Sequence, residues 1–256
     1  MAKEIGLVLS GGGVRAIAHI GLIKALLEND IIPIKISGTS AGAIVAALYA
    51  AGYTVEEQLN FFIQTPLFKI SLYAHKKPGI MDSDKYTYFF KEFFPHNSFE
   101  SLKYPITITS TNLINGQLEY FNSGELIKPL IASAALPPVF SPVEINGNLY
   151  SDGGILNNFP IEPLENQIKY IIGSFVNPIC EIEKSEINSS LKLLQRVYHI
   201  GLDSNNIKKF KKCNYVFSPP NIDKIGVLDS KIVSKSFQIG YDFAQLEIKN
   251  IIQSLH

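Results

Sequence analysis

Hydrophobic and polar positions follow two rhythms along the first half of the chain. Ile5 to Leu9 is a short apolar run closed by Ser10 and three glycines, the pattern of a buried strand entering a tight turn. Behind it Ile17, Ile20, Leu22, Ile23, Leu26 and Leu27 recur at helical spacing until Asn29-Asp30, and Ile31 to Ile36, interrupted by Pro33, reads as approach and second strand. A small-residue helix follows from Ala41 to Ala51, with Gly52 at its C-terminal cap. Thr54 ahead of Val55-Glu56-Glu57 predicts a capped helix over 55–64, ended by Pro66, and Asp82 opens another over 82–94.

Beyond Pro105 the period shortens. Ile106 to Thr109 alternates as a strand, and Asn115-Gly116 turns it back into Gln117 to Phe121. Asn146-Gly147 marks a second hairpin between Val143–Ile145 and Leu149-Tyr150. Tyr170 to Val176 reads as a buried strand, 189–209 as a long helix, Tyr215 to Phe217 as a last strand and 232–254 as a terminal helix. Strands alternating with helices predict an α/β fold with a mainly parallel sheet. No repeat or low-complexity linker divides the chain, so 1–256 is read as one domain, with a motif-bearing core over about 5–175 and an extension over 176–256.

Composition narrows the function classes. The 256 residues are 46% hydrophobic, enough for a substantial core, and Lys plus Arg equals Asp plus Glu at 23 each. No global field draws the chain to nucleic acid, so any membrane contact must be local. The start carries no signal-peptide pattern, and no window holds the roughly 18 apolar residues of a spanning helix, which predicts a cytoplasmic protein, at most peripheral to a membrane. Two cysteines, Cys180 and Cys213, are too few for a disulfide scaffold, and no histidine cluster suggests a metal.

Three short blocks carry candidate chemistry. Gly38-Thr39-Ser40-Ala41-Gly42 lies between a strand and a helix, the context of a nucleophile elbow in which Gly38 and Gly42 permit the sharp turn and Ser40 projects over a helix N-terminus. Ser10-Gly11-Gly12-Gly13-Val14-Arg15 follows the first strand. As a dinucleotide cradle it lacks a carboxylate about 20 residues on, and as a P-loop it lacks the Gly-Lys-Ser/Thr ending. Its other use is an oxyanion hole, with the amides of Gly12 and Gly13 facing the charge that develops on an attacked carbonyl. Arg15 either holds this loop or binds a substrate phosphate. Asp152-Gly153-Gly154 supplies a carboxylate that, if buried, could take the serine's proton directly. Of His19, His75, His96, His199 and His256, only His199 follows Ser and Asp in triad order, and His19 reads as a packed helix residue.

Taken together and in this order, these blocks resemble the patatin-like phospholipase family, with support from His19 and Gly21 and from the Ser133 to Phe140 stretch. The resemblance covers about residues 5–175. It departs from the family at Ala16, where a glycine is common, and at Gly154, where alanine is common. What it implies is a three-layer α/β/α sandwich and a serine acyl hydrolase of lipid esters, of phospholipase, lysophospholipase or carboxylesterase type. Ser40 would be the nucleophile, Asp152 the base in a dyad without histidine, and Gly11, Gly12, Gly13 and Arg15 the oxyanion loop, with no metal or cofactor. An α/β-hydrolase triad of Ser40, Asp152 and His199 and a non-catalytic nucleotide- or phosphate-binding regulator are the competing readings. Residues 66–80 mix apolar side chains with lysines and are expected either to border an acyl pocket at the lipid surface or to cover the core. Lys208, Lys209, Lys211 and Lys212 are expected to complement a helix C-terminus.

Overall fold

The computed structural model describes residues 4–66, 69–203, 206–228 and 232–256. Its centre is a sheet of eight strands: β1 Ile5–Leu9, β2 Pro33–Thr39, β3 Ile106–Asn112, β4 Leu118–Phe121, β5 Val143–Ile145, β6 Asn148–Asp152, β7 Tyr170–Ser174 and β8 Tyr215–Phe217. They run in the order β5-β6-β3-β2-β1-β7-β8, with β4 added on β3. The five strands β3, β2, β1, β7 and β8 are mutually parallel, and the hairpin β5–β6 and strand β4 join antiparallel.

The central strands are apolar throughout because both sheet faces are covered. In β1, Ile5, Leu7 and Leu9 face the main core, whereas Val8 faces a second cluster with Phe159, Ile161, Leu164 and Phe175. The main core lies under helices α1 Ala18–Leu27, α2 Ala41–Ala50, α3 Val55–Gln64, α4 Thr87–Phe93, α5 Ile127–Ser133 and α7 Val233–Ser254. The result is an α/β/α sandwich. Helix α6, Ser190–Asp203, follows β7.

Local signals account for most boundaries. Thr54 and Glu57 form the reciprocal capping box expected at the start of α3. The predicted helix over 82–94 begins as a 3-10 turn, Ser83–Tyr86, before α4. The helix expected over 189–209 ends at Asp203, and a separate 3-10 segment covers Asn206–Lys212. Its lysines reach acids across the fold: Lys209 pairs with Glu162 and Lys212 with Glu165. The expected role of that cluster, complementing a helix end, is therefore not what these two side chains do. Helix α5 had no clear signal in the sequence; Pro129 sits in its first turn, where a missing N–H costs little. The C-terminal third is integral to the sandwich, since β8 pairs with β7 and α7 packs along α1.

Candidate active site

Ser40 and Asp152 lie far apart in sequence but are brought together by β3. Thr109 pairs with Thr39 and the next residue, Ser110, pairs with Asp152, so β6 continues along the same edge of β3 where β2 stops. Strand β2 must stop there. Ser40 has φ 55° and ψ −132°, a region side chains avoid, and α2 starts at the next residue. The turn needs close backbone approach on both flanks: a Cβ on Gly42 would fall 2.4 Å from the Ser10 carbonyl oxygen, and one on Gly38 2.8 Å from the Ala43 Cα.

The hydroxyl of Ser40 donates to Asp152 Oδ2 at 2.7 Å. Its backbone N–H donates to Ser133 Oγ at 2.8 Å, tying the elbow to α5. The other carboxylate oxygen, Asp152 Oδ1, accepts from the Gly154 amide at 2.7 Å. Asp152 is buried, and burial lifts its carboxyl to about 6; the bonds from Ser40 and Gly154 pull it down, and the charge of Asp203 pushes it up.

The glycine loop abuts this pair. A Cβ on Gly11 would lie 3.0 Å from Ser40 Cβ. Gly11 itself gives its amide to Asn158 Oδ1 at 3.0 Å, so of the loop residues expected as oxyanion donors it is already engaged. The amides of Gly12 and Gly13 have no acceptor among the described residues. The Arg15 guanidinium ties the loop to the C-terminal third and to Asn177, donating to the carbonyls of Ile225 and Asp223 and to Asn177 Oδ1, at 2.7, 3.0 and 2.9 Å.

Ser40 opens onto an apolar cavity of about 130 Å³. Ile17, Ile44, Phe61, Phe90, Ile131 and Leu136 line it, and Val227, Leu228 and Val233 close it from the C-terminal third. Residues 66–80 contribute no lining side chain among those described; the wall comes from Phe61, Phe62 and Thr65 before them and Ser83 and Tyr86 after. Leu72 is buried and Ile70 exposed, while Leu67 and Phe68 fall outside the described residues. The described part of the segment thus does not border the cavity, and its two flanks do.

Neither histidine singled out by sequence touches the pair. His19 is fully buried, with Nδ1 2.7 Å from Ser174 Oγ and Nε2 2.9 Å from the Ser10 carbonyl oxygen, and burial lowers it to about 4. His199 Nε2 lies 3.1 Å from the Asn177 carbonyl oxygen and 3.7 Å from Asp203 Oδ2. Sequence reasoning missed Asn158, Asn177 and Asp203. Asp203, wholly buried, accepts from both asparagine side chains, and those asparagines hold Gly11 and Arg15. Asn157-Asn158 beside a Phe-Pro turn was the one available signal. Among the described residues no group of three His, Cys, Asp or Glu is arranged to hold a metal ion.

Residues 7–165 match the family model of the patatin-like phospholipases, more than half of the chain. The chain belongs to the patatin-like phospholipase family. An uncharacterised NTE-family protein of Mycobacterium tuberculosis is 33% identical over 165 residues, covering 64% of this chain and 46% of its own length. Lysophospholipase NTE1 of Cryptococcus neoformans is 33% identical over 179 residues, 66% of this chain but 11% of that protein. The chain therefore spans less than half of these relatives. In three dimensions it resembles human GIVD cytosolic phospholipase A2, at a TM-score of 0.53 and 10% identity over 99% of this chain and 58% of that one, a likeness of fold.

Proposed function

We propose that this patatin-like domain hydrolyses acyl esters of lipids, as a phospholipase, lysophospholipase or carboxylesterase, with Ser40 as nucleophile and Asp152 as its base. The observation that carries the reading is the 2.7 Å bond from a serine held at φ 55° to a buried carboxylate, at the mouth of an apolar cavity. As Ser40 Oγ bonds to the ester carbonyl carbon, its proton passes to Asp152. The tetrahedral oxyanion faces the Gly12 and Gly13 amides, each worth about 3 kcal/mol in the transition state by precedent. Collapse expels the lipid alcohol, which takes the proton from Asp152. Water then gives a proton to Asp152 as it attacks the acyl-serine, and the fatty acid leaves as the proton returns to Ser40. The acyl chain fits the cavity because its wall is almost wholly aliphatic and aromatic.

Support also comes from the relatives, one of which is named a lysophospholipase. The human phospholipase with the same fold was obtained in complex with methyl gamma-linolenyl fluorophosphonate. A fluorophosphonate probe should label this protein at Ser40, and a panel of lipid classes should show acyl release that Ser40→Ala abolishes. A folded protein that takes no label overturns the reading. His199→Ala separates dyad from triad: near-normal hydrolysis is expected, and complete loss would restore the triad.

A further inference from the structure

Helix α6 turns an aliphatic strip outward. At helical spacing Leu193, Val197 and Ile200 share one face, with Leu194 beside them, and they are 51, 58, 42 and 54% exposed. The rest of the helix is mixed: Arg196, His199 and Asp203 on one flank reach into the protein, and half-buried Tyr198 and Leu202 lie across from the exposed strip. Arg196 donates to the Cys180 carbonyl at 2.8 Å, His199 bonds the Asn177 carbonyl oxygen, and Asp203 anchors Asn158 and Asn177. A helix on a globular surface ordinarily keeps most of its aliphatic side chains inward, and four of those of α6 are exposed. Ile187 and Ile207, 41 and 52% exposed, extend the apolar character just before and just after the helix. Exposed aliphatic side chains gathered on one helix face, rather than scattered singly, point to a contact surface.

We infer that this outward face of α6 is the surface by which the protein rests on a lipid bilayer. The inference builds on the lipid acyl hydrolase reading. Size favours a bilayer over a second copy of the chain. A helix of 14 residues is about 21 Å long and offers roughly 200 Å² on one face. A stable dimer buries about 800 Å² per partner, whereas an interfacial helix needs only one such face to sink about 5–10 Å into the headgroup and acyl boundary. Placement favours it too. The inward side of the same helix holds the site: Asp203 fixes Asn158 and through it Gly11, and Tyr198 is close enough for Asp152 to act on its hydroxyl electrostatically. A bilayer seated on α6 therefore bears, across the helix, on the network that holds Gly11. With no net charge on the chain, insertion of aliphatic side chains, rather than attraction to anionic headgroups, supplies the binding.

The test uses the whole chain carrying Ser40→Ala, which consumes no lipid, sedimented with phosphatidylcholine vesicles. Co-sedimentation is expected at low and high salt, and Leu194→Ser with Val197→Ser should weaken partitioning by about tenfold or more. With Ser40 intact, the same two serines should leave hydrolysis of p-nitrophenyl butyrate unchanged. Leu246→Ser, 75% exposed on α7, is the control that should change nothing. The chain has no tryptophan, so Val197→Trp gives a single fluorophore whose emission should shift to the blue when vesicles are added. A parent chain that stays in the supernatant, a double variant that binds as well as the parent, or an unshifted fluorophore overturns the proposal. So does a concentration-dependent dimer dissolved by the two serines, which would assign the face to a second copy. Absent butyrate hydrolysis in the unmodified chain would count against the hydrolase reading instead, and vesicle binding is scored independently of it.

Discussion

Helix α2 carries the turn of Ser40 and helix α6 anchors the network behind Gly11, and the two handle burial differently. All ten residues of α2 are buried, seven of them alanine, glycine or valine, so the helix lies directly on the sheet and presents its first turn to Ser40. Helix α6 buries Asp203 and leaves Leu193, Leu194, Val197 and Ile200 exposed. The first arrangement is stabilised by the chain itself, through close packing against β1 and β2. The second is complete only with something apolar outside. The proposed nucleophile thus rests on a rigid, self-sufficient scaffold, while the network that holds the neighbouring glycine loop hangs from a helix suited to a variable environment.

The sharpest way to break the comparison is to remove the chemistry and leave both helices in place. Ser40→Ala and Asp152→Asn should each lower turnover by about 10⁴-fold, since triad-type residues act as a unit. The aspartate variant should also be more stable at neutral pH. The folded carboxyl, at about 6 against an ordinary 3.8, binds its proton more tightly than the unfolded chain does. Stability therefore falls as pH rises from 3.8 to about 6 and stays reduced above it. A neutral amide escapes that cost, which for a fully buried group reaches about 3 kcal/mol. Thermal unfolding should give Asp152→Asn a higher midpoint near pH ~7.5 and no advantage near pH ~4. The reverse order would mean that the carboxylate is not under the burial strain described. The acid limb of kcat/KM should likewise rise through about 6, as Asp152 must be ionised to accept the proton.

Next in size is Gly42→Ala. The added methyl would meet the carbonyl oxygens of Ser10 and Leu9 at 2.4 and 2.7 Å, backbone atoms of and just beyond β1 that cannot move aside. Helix α2 would have to lift off the sheet, and urea unfolding should register a loss of about 3 kcal/mol or more. An unchanged midpoint would show that α2 is less tightly seated than its burial implies.

How much of this was legible beforehand follows the same divide. The elbow, the glycine loop and Asp152 stood out because each is written in contiguous residues whose local signals agree: apolar strand, glycine turn, small-residue helix. Strand β8, Tyr215–Phe217, fell where the pattern placed it, and α7 began within a residue of it. What the pattern could not reveal were groups whose meaning depends on distant partners. Ser133 caps nothing in its own helix yet holds the Ser40 amide. Asp203 reads as an ordinary acid near a helix end until Asn158 and Asn177 close around it. The outward aliphatic strip of α6 was invisible for the same reason, since periodicity reports that a helix has two faces and not which one turns inward.

Asp203→Asn probes that hidden network with a smaller effect. The amide keeps the shape of the carboxylate and part of its bonding to Asn158 and Asn177 but removes the charge that raises Asp152 and that faces His199. The acid limb of kcat/KM should move to lower pH, so that the variant outpaces the parent relative to its own plateau at pH ~5. A profile that keeps its position while turnover falls would mean that Asp203 acts only by holding Asn158.

The smallest expected change is also the most direct comparison of the two helices. Gly201 lies in the last turn of α6, exposed, and a Cβ there would meet nothing within 4 Å, whereas at Gly42 it strikes backbone at 2.4 Å. Gly201→Ala should therefore stabilise the protein by about 0.5–1 kcal/mol, through the lower entropy of the unfolded chain and the better helix propensity of alanine. Vesicle partitioning should hold or rise slightly, because the methyl joins the apolar side of the helix near Leu194 and Val197. A destabilisation comparable to that of Gly42→Ala would mean that this flank of α6 is packed against protein in solution. In that event the outward face has a proteinaceous cover, and the contrast between a scaffold helix and a bilayer-facing one collapses.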